Sequence, residues 1–275
     1  MPLTFLSHQA AVLPLKLAAP RRLSGTALVL GSIAPDAPKF VLGPGSDTFT
    51  HSVAGQLAWC LPFTVAMFAL VRHVIAGPLG RYLPDLGPFH LGDYAALAAS
   101  PNDRVRWPVV VVSALIGSFS HIGWDLLTHQ PGWPPVSVTV AGHTVLGMDL
   151  MQYASSALGM VATVAMLYHV GRSRLVLHWR RRQQAVRIER PSAASAALRW
   201  LGLALVVAVS IVLSFAVDHE PGPWTSEPRL SIVLLRVPAF AFLVVTVACV
   251  VATWRARLRE RRAGDVRASR SDAAA

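Results

Sequence analysis

Long apolar stretches separated by short polar ones dominate the chain. Residues 52–71 (SVAGQLAWCLPFTVAMFALV) run for twenty positions without a charge, which as a helix reaches about 30 Å, the depth of a bilayer's hydrocarbon. Pro62 in its middle predicts a kink rather than a break, since hydrocarbon demands internal backbone hydrogen bonding. Residues 107–128 form a second candidate span with Trp107 and Trp124 placed as interfacial anchors. Residues 146–169, 200–217 and 230–254 make a third, fourth and fifth, the last interrupted only by Arg236, whose long side chain can snorkel from near one end. Two weaker segments come first: residues 5–19 contain Pro14 and Lys16, and residues 23–34 are too short for an ordinary crossing. The pattern predicts an all-α polytopic transmembrane helix bundle with five clear spans and two short or re-entrant N-terminal helices. Residues 1–255 form the membrane domain and 256–275 a basic, disordered cytoplasmic tail.

Composition agrees with that pattern. Hydrophobic residues make up 53% and charged residues 14% of the 275 positions, outside the usual soluble balance. A formal charge of +11 would raise nucleic acid as a partner in a soluble chain. Here the basic residues collect between and after apolar runs, and neither zinc-finger spacing nor a helix-turn-helix signal is present, so the expected partner is the lipid bilayer and not nucleic acid. Residues 171–190 and 255–270 each hold seven Arg, whereas 129–149 hold no Lys or Arg. The positive-inside rule then places the Arg-rich segments and the C-terminus in the cytoplasm. Cys60 and Cys249 fall inside apolar stretches and are expected to stay unpaired. The N-terminus lacks the charge order of a removable signal peptide and is expected to remain attached.

With the orientation fixed, His8, Asp36, His51, His121 and Asp125 all map to the outward membrane face, together with His129. His121, Asp125 and His129 follow one another at intervals of four and drift by only about 40° per step on a helix, so they share a face. A carboxylate near hydrocarbon needs a partner. Imidazole and carboxylate donors together suit a divalent metal, with zinc first and manganese or iron as alternatives, held by His8, Asp36, His51, His121, Asp125 and His129. Asp36 and Asp125 are the candidate catalytic carboxylates. The plainer alternative is that such residues merely hydrogen-bond at helix ends, and Asp36 after Pro35 also reads as a turn residue. His73, His90, His169 and His178 map inward and look unrelated. Gly31 and Gly117 are small enough to let two helices approach closely. Asp93 and Asp103 are expected to be caps or solvent-facing groups. No phosphate loop is present.

The segments FLSHQAAVLPL (5–15), LVLGSIAPDAPKF (28–40), His51-Ser52 and GSFSHIGWDLLTH (117–129) resemble a bacterial family of integral membrane proteins, domain of unknown function 4184. The arrangement is also similar to a more remote group of inner-membrane metal-dependent hydrolases, whose elements fall here on His8, Pro35-Asp36, His51-Ser52 and Ser120-His121 with Asp125. That group's fuller Pro-Asp-x-Asp pattern is not met, because position 38 is Pro. The resemblance implies a multi-pass protein of the bacterial inner membrane and a hydrolase acting on a lipid-linked or membrane-proximal substrate. Two alternatives stand beside it: a transporter or a conductor of protons or metal ions, and a non-catalytic protein whose polar cluster ties helices together. Substrate and oligomeric state are not legible.

Overall fold

The computed structural model describes residues 7–43, 45–84, 86–99, 104–128, 134–140, 143–179, 193–216, 236–255 and 258. The expected His129, residues 230–235 of the fifth span and nearly all of the tail lie outside them. The helices are α1 (Gln9–Ala18), α2 (Gly25–Ile33), α3 (Ala37–Leu42), α4 (Val53–Tyr82), α5 (Trp107–Thr128), α6 (Gly147–Arg172), α7 (Leu175–Trp179), α8 (Ala193–Ala216) and α9 (Arg236–Arg255). Among the described residues, five helical segments are long and apolar enough to cross a membrane: Val53–Tyr82, Trp107–Thr128, Leu150–Arg172, Ala197–Ala216 and Arg236–Arg255. Large apolar side chains on them, Leu158, Leu201, Leu205 and Val212 among them, stand exposed, in a density that suits hydrocarbon better than water. Hydroxyls inside these helices donate to their own helix: Thr64 to the Cys60 carbonyl and Ser214 to that of Ser210, both at 2.7 Å. Those hydroxyl hydrogens are thereby satisfied within the helix.

The helix expected to end at residue 71 runs on to Tyr82, and the reason lies in its prolines. Two wide π turns, Gln56–Cys60 and Val71–Ile75, interrupt the α geometry, with the Leu61 N–H reaching the Gln56 carbonyl and the Ala76 N–H that of Val71. Pro62 and Pro78 have no N–H for the carbonyls four residues earlier, Ala58 and Val74, and each of those lies inside a wide turn. The widened turns absorb the missing bonds and let the helix continue.

α1 and α2, ten and nine residues long, extend only about 15 Å, half of a bilayer core. α2 lies along α5. A Cβ added at Gly31 would run into the Ala114 carbonyl, and one at Gly117 into the Leu28 carbonyl, so the two glycines permit backbone-to-backbone contact. Ser24 caps α2 with its side chain, and its N–H donates to the Ser113 hydroxyl at 2.9 Å, fixing the near end of the pair.

Two further features depart from expectation. The loop before α6 contains a short antiparallel hairpin, Ser137–Val140 paired with His143–Leu146, where alternating Val and Thr suit strands. Asp93 is neither a cap nor solvent-facing: it is buried and pairs with the Arg174 guanidinium at 2.8 Å. Burial of a carboxylate is tolerable only with such a partner. Cys60 and Cys249 are both free and buried, as expected.

Candidate metal centre

Four chain segments deliver the polar side chains, and in each the local structure frees the side chain to point inward. His8 precedes α1 without spending its ring on a helix cap. Pro35 helps end α2 in a short 3-10 turn, Ala34–Asp36, from which Asp36 projects without capping α3. His51 closes the turn ahead of α4, whose cap is supplied by Ser52 accepting from the Gly55 N–H at 3.0 Å. His121 and Asp125 stand one helical turn apart on α5.

These five side chains meet. Asp125 faces three imidazoles, with Oδ1 3.7 Å from His8 Nε2 and Oδ2 3.4 Å from His51 Nε2 and 3.3 Å from His121 Nε2. Asp36 Oδ1 lies 3.7 Å from His51 Nε2 and 3.6 Å from His121 Nε2. The His8 ring stacks on that of His121 with centroids 3.9 Å apart. Two groups, His8–His121–Asp125 and Asp36–His51–His121, each have donor atoms within 4.8 Å of one another.

The spacing fits a metal better than a hydrogen-bond network. Charge-assisted N–H···O bonds close to about 2.7–2.9 Å. Two donors at about 2.0–2.1 Å from one tetrahedral ion are instead about 3.4 Å apart, within the range of the five N···O distances.

Ring orientation is fixed from outside. His121 Nδ1 lies 2.8 Å from the Ser32 carbonyl, and His51 Nδ1 lies 2.9 Å from the Asp47 carbonyl. A carbonyl only accepts, so both Nδ1 atoms carry the hydrogen, and each ring in its neutral form turns the Nε2 lone pair to the centre. The close approach at Gly31 and Gly117 brings the Ser32 carbonyl to His121. Thr50 holds the other side: its hydroxyl lies 2.6 Å from the Pro35 carbonyl, and its own carbonyl accepts from Gln56 Nε2 at 2.6 Å.

Lys39 and Asp47 complete the centre and were not among the expected residues. Lys39 Nζ lies 2.9 Å from Asp36 Oδ1 and 2.6 Å from Asp47 Oδ2, and Asp47 Oδ2 is 3.3 Å from His51 Nδ1. The available signals were spacing alone: Lys39 is three residues after Asp36, and Asp47 is four before His51. Burial would raise the Asp36 carboxyl, but His121 and Lys39 outweigh it and hold it well below the usual carboxylate range. Burial would likewise lower Lys39, and the two carboxylates raise it above its ordinary value. His51 is desolvated too, yet the Asp125 carboxylate and the Asp47 backbone lift its pKa above 6.5.

Of the expected residues, His8, Asp36, His51, His121 and Asp125 are brought together, and His129 is outside the described residues. His90 and His178, expected to be unrelated, contact Arg174 instead. No curated protein and no solved structure matches the chain. The family described as Domain of unknown function (DUF4184) matches residues 1–254, a range that holds every residue of the centre, and the chain belongs to that family.

Proposed function

We propose that the protein is a metal-dependent hydrolase of the bacterial inner membrane, with its centre on the extracytoplasmic side and its C-terminus in the cytoplasm, acting on a lipid-linked or membrane-proximal substrate. The observation that carries this is the convergence of three imidazoles and two carboxylates at ligand-like spacings, with the rings of His121 and His51 oriented by backbone carbonyls. The donors that would hold the ion are His8, His51 and His121 with Asp36 and Asp125, a set that suits zinc and also accepts manganese or iron. Such an ion supplies Lewis-acid chemistry, polarising an ester or phosphoester and lowering the pKa of water.

The chain's own groups do the rest. Asp125 presents its two oxygens to different imidazoles, so one can ligate while the other receives a proton from water. Asp36, clamped by Lys39, stays ionised and anchors the opposite side. Exposed apolar residues neighbour the polar ones along the chain: Val41 and Leu42 after Lys39, Phe49 and Val53 around His51, Leu126 and Leu127 after Asp125. An apolar rim beside a polar centre suits a substrate with a hydrocarbon tail and a reactive head. The concentration of polar groups at one end of the helices, rather than through their depth, disfavours transport.

The test is metal analysis of detergent-purified protein, followed by hydrolysis of ester and phosphoester lipids in vesicles. Near-stoichiometric metal is expected, with loss of both metal and turnover in folded His121→Ala and Asp125→Asn variants. A wild-type protein that retains no ion after loading with zinc, manganese and iron refutes the proposal.

A further inference from the structure

We propose that Lys39 stands in for a second cation, so that the centre holds one divalent ion and the lysine ammonium positions Asp36 and Asp47 around it. The inference rests on the metal-centre reading and specifies it. Three independent observations lead there.

Lys39 Nζ bridges Asp36 Oδ1 and Asp47 Oδ2 at 2.9 and 2.6 Å. A bridging contact between two carboxylates is what a second metal would make, and the ammonium already makes it. The two candidate ligand groups are also not independent, because His121 belongs to both. Its Nδ1 is committed to the Ser32 carbonyl at 2.8 Å, which leaves a single lone pair, on Nε2, and a single lone pair serves one ion.

Charge agrees. Asp36, Asp47 and Asp125 bring three negative charges, and Lys39 returns one. With neutral imidazoles, one divalent ion brings the group to neutrality, whereas a second leaves an excess of two positive charges beside apolar helices, where uncompensated charge is costly. Lys39 also acts at a distance: by holding Asp47 it fixes the carbonyl and carboxylate that orient His51. That makes it a positioning residue.

The experiment loads detergent-purified full-length protein with Mn2+ and reads stoichiometry by elemental analysis and electron paramagnetic resonance. The wild type is expected to take one ion per chain with an uncoupled six-line signal. Lys39→Arg, which keeps the charge, is expected to do the same. Lys39→Glu exchanges the ammonium for a fourth carboxylate and is expected to take two ions with a spin-coupled signal. Two ions in the wild type, or one in a folded Lys39→Glu variant, overturn the inference while leaving the metal centre intact. No ion in the wild type overturns the metal centre itself. Should Lys39→Glu fail to assemble, Lys39→Met carries the test: a coupled pair at saturating Mn2+ is expected there and not in wild type or Lys39→Arg, and its absence overturns the inference.

Discussion

Substituting Gly31 by Ala is expected to disturb the centre without touching any of its candidate ligands. The new Cβ overlaps the Ala114 carbonyl, a backbone atom that no side-chain rotation can move aside. Restoring ordinary van der Waals contact requires α2 to withdraw from α5 by about 1 Å, which stretches the 2.8 Å contact between His121 Nδ1 and the Ser32 carbonyl beyond the roughly 3.5 Å at which hydrogen bonding has faded. Overpacking of this kind costs about 1–3 kcal/mol. Loss of a partner that orients a ligating histidine lowers metal affinity by about 10- to 100-fold. The assay is competition for Zn2+ against a chromophoric chelator in detergent, beside thermal unfolding of the metal-free protein. Gly123→Ala is the control, since it lies on the same helix two residues from His121 and a Cβ there meets nothing within 4 Å. It is expected to bind metal as the wild type does and to gain up to about 1 kcal/mol from helix propensity. A Gly31→Ala protein with unchanged zinc affinity and melting temperature refutes the link between helix approach and ring orientation.

Metal uptake should strengthen with pH. The raised pKa of His51 means that its protonated ring favours the metal-free fold below 6.5 and that this contribution is lost as pH rises through the higher folded value. The ion must expel that proton, so uptake is easier on the alkaline side. The rise in melting temperature given by a fixed Mn2+ concentration is therefore expected to be larger at pH 8 than at pH 6, with the underlying stabilisation approaching about 2.7 kcal/mol where the ion reaches 100 times its Kd. Gln56→Ala removes the 2.6 Å bond to the buried Thr50 carbonyl and is expected to cost about 1–3 kcal/mol. Chemical denaturation in mixed micelles measures it, with metal affinity falling in parallel because Thr50 holds the His51 turn.

Much of the fold was legible because hydrocarbon imposes a simple rule on composition. The uncharged run at 52–71 and the apolar run at 107–128 could hardly be anything but helices. Likewise the His121–Asp125 spacing, together with charge asymmetry between loops, was enough to suggest that His8, Asp36 and His51 gather on one side. What escaped depends on contacts that no local pattern encodes. Nothing around Asp93 announces that Arg174, eighty-one residues later, will bury it. Lys39 went unassigned because its partner Asp47 sits across a glycine-rich turn whose path is set by Thr50 and Gln56. The extension of α4 to Tyr82 was hidden for a different reason: the uncharged run stops at Arg72, and the wide turn at Val71–Ile75 that carries the helix on past Pro78 has no local signature.

The wide turn at Gln56–Cys60 makes the chain unusually sensitive to length at that point. A π turn holds one residue more than the α turn it replaces, so deleting any one residue between 57 and 59 would convert it to an α turn of nearly the same rotation. The N-terminal side, His51 included, would keep its bearing to within roughly 10°, because five residues in the wide turn sweep about what four sweep in an α turn. The loss would fall instead on Pro62, whose ring would meet the carbonyl four residues before it with no wide turn to take up the missing bond. A one-codon loss there is expected to cost about 3 kcal/mol through the proline while leaving His51 aimed at the pocket.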